Sequence, residues 1–418
     1  MKIIGLDVGA NHVVAAALEN FPQNMQRYYR DHENEFIKLN FANSDGFERL
    51  WQMLPDGIVM EPSGRWYSRL VAEKCSQKNI QVYWVGHAQL KAQRESYGFK
   101  SKRDKEDALS LAACYFDDRF IDILGRKRFL TFNTEIDQLR DWFYEWEQLI
   151  KIRVALVNHI KQRLCYEFPE RAEIKISYDQ VNSKLGCIPF FAALAGFHNY
   201  WQFDRAYSQS CGAGISDYTR QHAQWVCENL KQVEILKAKC VKFIAQPEFK
   251  PYLEAMKPFK FGLKNQVGLI VQCYPFDKFL VNGQPWVERR ISRSGKRVKC
   301  DRSLRQFQAF LGLSYTLEQS GKSGQTKKKF YGSKVCRANL YMWAKTEFDK
   351  SRGSRMTSDQ GRLLWEKHKH LRRLFPLDAD QTVWQAGEGA IGGDDALIRL
   401  LFTATAELYK NLVKMTVG

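Results

Sequence analysis

Two apolar runs, "KIIGLDVG" and "HVVAAALE", are separated only by Ala10 and Asn11. So short a connection leaves two extended segments one arrangement, an antiparallel hairpin, because parallel neighbours need a crossover of a dozen residues or more. The hairpin places Asp7 near the tip of its first strand. A carboxylate there has two readings: a metal ligand, or an Asx turn ending a strand.

The following residues extend this hairpin into a layered fold. "NEFIKLNF" reads as a third strand, and "SDGFERLWQML" as a helix capped at Ser44 or Asp45. "GIVME" is a short buried strand ending at Glu61, followed by the helix "GRWYSRLVAEKCSQKN", the strand "IQVYWV" and the helix "KRDKEDALSLAACYFDD". Three hairpin-like strands followed by βα units predict an α/β domain over 1–130, a mixed sheet with helices on its faces.

Residues 131–260 change character. "IDQLRDWFYEWEQLIKIRVALVNHIKQRLCYEF" keeps helical apolar spacing without Gly or Pro until Pro169, and "DYTRQHAQWVCENLKQVEILKAKCVKFIAQ" is a second long helix. The pair predicts a coiled-coil segment, closing on itself or on a second protomer. Trp142, Phe143 and Trp146 read as packing residues. Residues 261–418 form a third segment, mostly α, that begins loop-rich and strongly basic and ends in the helices "GRLLWEKHKHLRRLF" and "DDALIRLLFTATAELYKNLVKM".

Charge narrows the function. Lys and Arg number 64 against 46 Asp and Glu, a net +18, in a 418-residue chain whose 44% hydrophobic content excludes general disorder. Such a balance points to a polyanionic partner. The ten cysteines show no C-x-x-C pair, which argues against a zinc ribbon or a disulfide framework and for reduced thiols. The opening residues carry no signal-peptide pattern, and no apolar run is long enough to span a bilayer. A cytoplasmic protein with a nucleic-acid partner and no membrane association is expected.

Asp7 ends one strand and Glu61 another, while Asp104 and Asp107 lie three apart at the start of a helix and share a face. Glu61 closes a buried strand, where a carboxylate is costly unless paired or ion-bound. Four oxygen-donor groups from three elements suit Mg²⁺, which serves phosphoryl transfer.

The motifs "IIGLDVGANHVVAAAL", "VMEPSGRWYSRLV" and "FKSKRDKEDALSLA" follow the order of the RNase H-like, RuvC-type nuclease domain. They resemble the DEDD transposases of the bacterial insertion-sequence 110 family and the related Piv-type DNA invertases. The last motif is similar to the family's K-x-D-x-x-D-A-x-x-L-A pattern through Lys102, Asp104, Asp107 and Ala108. The resemblance implies that Asp7, Glu61, Asp104 and Asp107 are the Mg²⁺-binding catalytic set; Glu106, on another helical face, is not carried over. "FLGLSYTLEQSGKSGQTKKKFYGSKVCRANLYMWA" resembles the family's serine-bearing half, which implies Ser320 as nucleophile, with Ser314, Ser323 and Ser333 as competitors. The family's I-P-G-I-G motif survives only as fragments in "LGCIPFF" and "NQVGLIVQCYPF".

Two basic clusters read as nucleic-acid contacts: Arg289, Arg290, Arg293, Lys296, Arg297 and Lys299, then Lys327, Lys328 and Lys329, with Arg337 beyond. None forms a sequence-reading motif. The resemblance implies that donor and target DNA are instead selected by a structured non-coding guide RNA, the bridge RNA of the element. Two active sites are needed for recombination, so a homodimer or homotetramer is expected, with the long helices as its interface. The alternative is a RuvC-like Mg²⁺-dependent nuclease or Holliday-junction resolvase without a covalent intermediate. An actin-like sugar kinase would need further Gly-rich nucleotide motifs that the rest of the chain lacks. A non-enzymatic nucleic-acid-binding protein is a further rival.

Overall fold

The computed structural model describes residues 1–10, 12–42, 44–62, 66–121, 127–130, 134–173, 181–182, 184–292, 295–319, 326–348, 358–376 and 384–416. The chain divides into two compact units, Met1–Phe132 and Asn133–Gly418.

The first unit holds β1 (Ile3–Val8), β2 (Val13–Leu18), α1 (Met25–His32), β3 (Ile37–Leu39), α2 (Ser44–Gln52), β4 (Gly57–Met60), α3 (Tyr67–Gln77), β5 (Gln81–Trp84), α4 (His87–Ser96) and α5 (Asp104–Phe116). Its sheet has the order β3-β2-β1-β4-β5. The predicted hairpin forms, pairing Ile3 with Leu18 and Val8 with Val13. β3 adds antiparallel to β2, while β4 pairs parallel with β1 and β5 with β4. The mixed sheet expected from the sequence is therefore present.

Strand alternation assigns the faces. Ile4, Leu6 and Val8 point into a core shared with Phe47 and Leu50 of α2 and Val71 and Cys75 of α3. Ile3, Gly5 and Asp7 face the other side, where α5 lies. Gly5 is there for space. A Cβ at this position would fall on the Ala108 carbonyl oxygen and 2.5 Å from the Ala112 amide nitrogen. The helix thus rests backbone-on-backbone against β1 through its small residues, and α5 is buried along most of its length.

The second unit begins with α6 (Asp137–Glu167), α7 (Pro189–Leu194), α8 (Trp201–Ser208) and α9 (Asp217–Ile244). The two long helices pack on each other within the chain, running antiparallel. Asn229 Nδ2 donates to the Leu149 carbonyl at 3.0 Å, and Arg163 Nε donates to Thr219 Oγ1 at 2.8 Å. Ser216 caps α9 and also donates to the buried Glu167 carboxylate at 2.8 Å, which ties the end of α6 to the start of α9. Phe143 and Trp146 are core residues, as their spacing predicts.

Beyond them come α10 (Lys250–Met256), α11 (Leu263–Cys273), β6 (Val287–Ile291), β7 (Arg297–Asp301), α12 (Arg302–Phe310), β8 (Ser314–Gln319), β9 (Thr326–Tyr331), α13 (Lys334–Phe348), α14 (Asp359–Arg372), β10 (Leu374–Pro376), β11 (Trp384–Ala386) and α15 (Gly393–Thr416). The loop-rich reading of the region after 261 is corrected here: its described residues are mainly helices and three antiparallel strand pairs, β6–β7, β8–β9 and β10–β11. Leu397, Leu400, Leu401, Ala404, Leu408 and Leu412 give α15 one apolar face, buried in a core that includes α10, α11, α12 and α13. All ten cysteines are unpaired, in line with the reduced-thiol expectation. No described helix is long and apolar enough to cross a membrane.

The contact at Gly5 makes a sharp prediction. Gly5→Ala should destabilise the protein by about 3 kcal/mol, because the added methyl displaces α5 from the sheet. Chemical denaturation of the two proteins measures this, and equal midpoints would refute the close approach.

Candidate functional site

Three sheet strands in the first unit, β1, β4 and β5, run parallel, so their carboxyl ends share one edge. That edge is where open α/β sheets collect ligands. Asp7 lies near the end of β1, Glu61 directly after β4, and His87 three residues beyond the β5 end at the start of α4. Because α5 crosses β1 at Gly5, its first turn, with Asp104 and Asp107, extends toward the same edge.

Electrostatics links three of these groups to Asp7. Burial first, then the charges of Asp107, Asp104 and Glu61, push the Asp7 carboxyl up from 3.8 to about 6, with Lys102 opposing. Asp107, Asp104 and Glu61 are therefore each near enough to act on Asp7, and Lys102 of the same motif acts on it in the opposite sense.

Two partners were not foreseen. Arg94, buried on α4, donates from a guanidinium nitrogen to Asp107 Oδ1 at 2.5 Å, and Asp107 itself is 2% exposed. His87 Nδ1 lies 2.9 Å from Glu61 Oε2. Each pins one carboxylate while leaving its second oxygen outside the pair. Neither had a local sequence signal: the helix that carries both is polar, and their pairings span 26 and 13 residues. Glu106 is held apart by Ser101 Oγ at 3.2 Å and Arg103 at 3.9 Å, consistent with its exclusion from the set.

Among the described residues no three acidic, histidine or cysteine side chains are grouped closely enough to hold an ion as they stand. In donor type the set nevertheless fits Mg²⁺. It offers only carboxylate oxygens around a group whose proton affinity is raised by burial and then by its negative neighbours, a repulsion that a hard divalent cation relieves.

In the second unit, Ser320 and Ser323 fall outside the described residues, as does Arg293. Ser314 and Ser333 are described. They line one cleft of about 470 Å³ with Tyr144, Phe310 and Tyr331, and Ser333 Oγ accepts the Cys336 N–H at 3.2 Å. The first basic run forms the β6–β7 hairpin. Arg289 pairs with Lys299 and Ile291 with Arg297, so these four share a face, while Arg290 lies opposite Val298 on the other. Arg289, Arg290, Lys296, Arg297 and Lys299 are all exposed. Lys327, Lys328 and Lys329 lie on β9, in register with Glu318, Leu317 and Thr316. Arg337 differs from the exposed cations. Its guanidinium donates to the Gly312 carbonyl at 2.8 Å and stacks 4.7 Å from the Phe330 ring.

Residues 291–358 match the model of a family described as Transposase IS116/IS110/IS902 family. The matched stretch runs from the end of β6 past α13 and contains Ser320. It supports a transposase of an insertion sequence, a protein that acts on DNA. No curated protein matches the chain.

Removing Arg94 isolates a buried charge. Arg94→Met should cost about 3 kcal/mol, because Asp107 loses its only guanidinium partner among the described residues. Urea denaturation reads this, and an unchanged midpoint would show that the pair does not hold Asp107.

Proposed function

We propose that this chain is an RNA-guided DNA recombinase, the transposase of an insertion sequence, which cuts and rejoins donor and target strands through a phosphoserine intermediate. The observation that carries this reading is the family match over 291–358, since it encloses Ser320 and follows the Arg-rich hairpin strand β6. The RNase H-like resemblance of the first unit agrees with its mixed sheet and with the carboxylates around Asp7.

The chemistry balances. The Ser320 oxygen attacks a DNA phosphorus and gives up its proton to a base. The bond from phosphorus to one strand oxygen breaks, and that oxygen takes a proton as a free hydroxyl end. The new phosphoserine diester keeps the energy of the broken bond, so a hydroxyl end from another strand can reverse the step without ATP. A neutral serine is a weak nucleophile and needs activation. Mg²⁺ bound by Asp7, Glu61, Asp104 and Asp107 would polarise the phosphoryl oxygen and acidify a coordinated hydroxyl. Arg94 and His87 orient Asp107 and Glu61. The exposed cations of β6–β7 bind phosphates without reading sequence, and base pairing with a guide RNA supplies the selectivity. Two or four copies of the chain would bring the required active sites together.

Denaturing gels test the covalent step. Wild-type protein carrying its co-purified RNA should form a protein–DNA adduct that Ser320→Ala abolishes and Ser323→Ala retains. Asp7→Asn should slow its formation roughly 100-fold or more, the scale of losing one transition-state charge stabiliser. Free cleaved ends without an adduct would instead establish the RuvC-like nuclease or resolvase alternative. RNA-free protein that still recombines specific sites would refute guidance.

A further inference from the structure

The region after α13 carries a second concentration of positive charge, built from elements other than the β6–β7 hairpin. The last turns of α14, the start of β10, the segment between β11 and α15, and Arg399 of α15 enclose a concavity of about 770 Å³ whose cationic lining is Lys369, His370, Arg373 and Arg399. A neighbouring concavity of about 550 Å³ contains Lys367, and Leu371 and Arg399 line both. The two form one groove with Arg399 between them. Glu366 is the carboxylate among the described lining residues, and Lys369 Nζ takes it at 2.6 Å. Lys367, His370 and Arg399 make no ion pair with any described residue.

A bland explanation covers part of this cluster. Cations in the last turn of α14 offset the negative end of that helix. The same argument fails for Arg399, which comes from a different helix, near its positive end. Arg373 stands at that same negative end of α14 and has a second partner. This residue ends α14 in the left-handed conformation, φ 46° and ψ 44°, where glycine is the unstrained choice. Its guanidinium reaches across to the Glu388 carbonyl at 2.7 Å. Gly389, at φ +71°, leaves the room this needs, since a Cβ there would sit 2.5 Å from Arg373 Nη1. The turn thus fixes the Arg373 guanidinium at the wall of the concavity.

We propose that this groove holds the phosphodiester backbone of a nucleic-acid strand, with Lys367 and Arg399 contacting successive phosphates. The proposal rests on the reading of the chain as a nucleic-acid enzyme and gives its region after α13 a part in that work. Lysine and arginine ends without base-reading geometry fit backbone tracking. DNA and RNA share this chemistry, and the experiment separates them.

Binding of the full-length protein to a DNA duplex and to an RNA hairpin of equal length is measured by fluorescence anisotropy across a range of sodium chloride concentrations. The double variant Lys367→Gln, Arg399→Gln should lose about 10-fold in affinity at moderate salt. The slope of log affinity against log salt should fall by about two, one for each phosphate contact removed. Loss with RNA alone assigns the groove to RNA, and loss with DNA alone to DNA. Lys410→Gln, exposed on α15 and paired with Glu407, should change neither. A wild-type protein that binds while the double variant keeps its slopes overturns the groove alone, as does an equal loss from Lys410→Gln. A wild-type protein that binds neither polymer overturns both the groove and the proposed function.

Discussion

The first unit depends on one contact, the backbone of α5 lying against β1 at Gly5. Ordinary side chains would hold a helix about 10 Å from a sheet. Glycine facing Ala108 and Ala112 removes that spacer and brings the first turn of α5 over the carboxyl edge of the strands. The consequence is a set of carboxylates drawn from distant parts of the chain, where burial first and then the neighbouring negative charges raise the proton affinity of Asp7. Arg94 and His87 offset part of this cost at Asp107 and Glu61.

Charge is distributed in the opposite sense in the second unit. Its cations stand on β6–β7 and around the end of α14, exposed and largely without carboxylate partners. The interior is aromatic and aliphatic, closed by the apolar face of α15. Surface cations left unneutralised keep a protein soluble, but they also keep its affinity for polyanions sensitive to salt.

Much of the fold was legible because its signals are local. The β1–β2 hairpin follows from two apolar runs two residues apart, and α6 and α9 from long, unbroken helical periodicity. α1 and α4 escaped notice because "MQRYYRDH" and "HAQLKAQRES" are polar; α4 buries only Leu90 and Arg94. The hairpins after 261 escaped for a related reason. "VERRI" and "RVKCD" expose most of their residues, so they lack the alternation that marks a half-buried strand. At the site, Asp7, Glu61, Asp104 and Asp107 could be named from motif order. Arg94 and His87 could not, since their pairings span 13 and 26 residues and exist only once the sheet has formed.

The paired long helices have a mechanical consequence. At 31 residues, α6 is about 46 Å long. Val157, Ile160 and Leu164 anchor one end beneath α7 and α8, while Leu139 and Phe143 sit in the core at the other. Such a girder transmits rotation with little flexing. A tilt of about 5° at the α7–α8 end sweeps the opposite end through about 4 Å, more than the length of a hydrogen bond. Torque applied to the small helical cap would thus reach the basic half of this unit as a displacement on the scale of a phosphate contact.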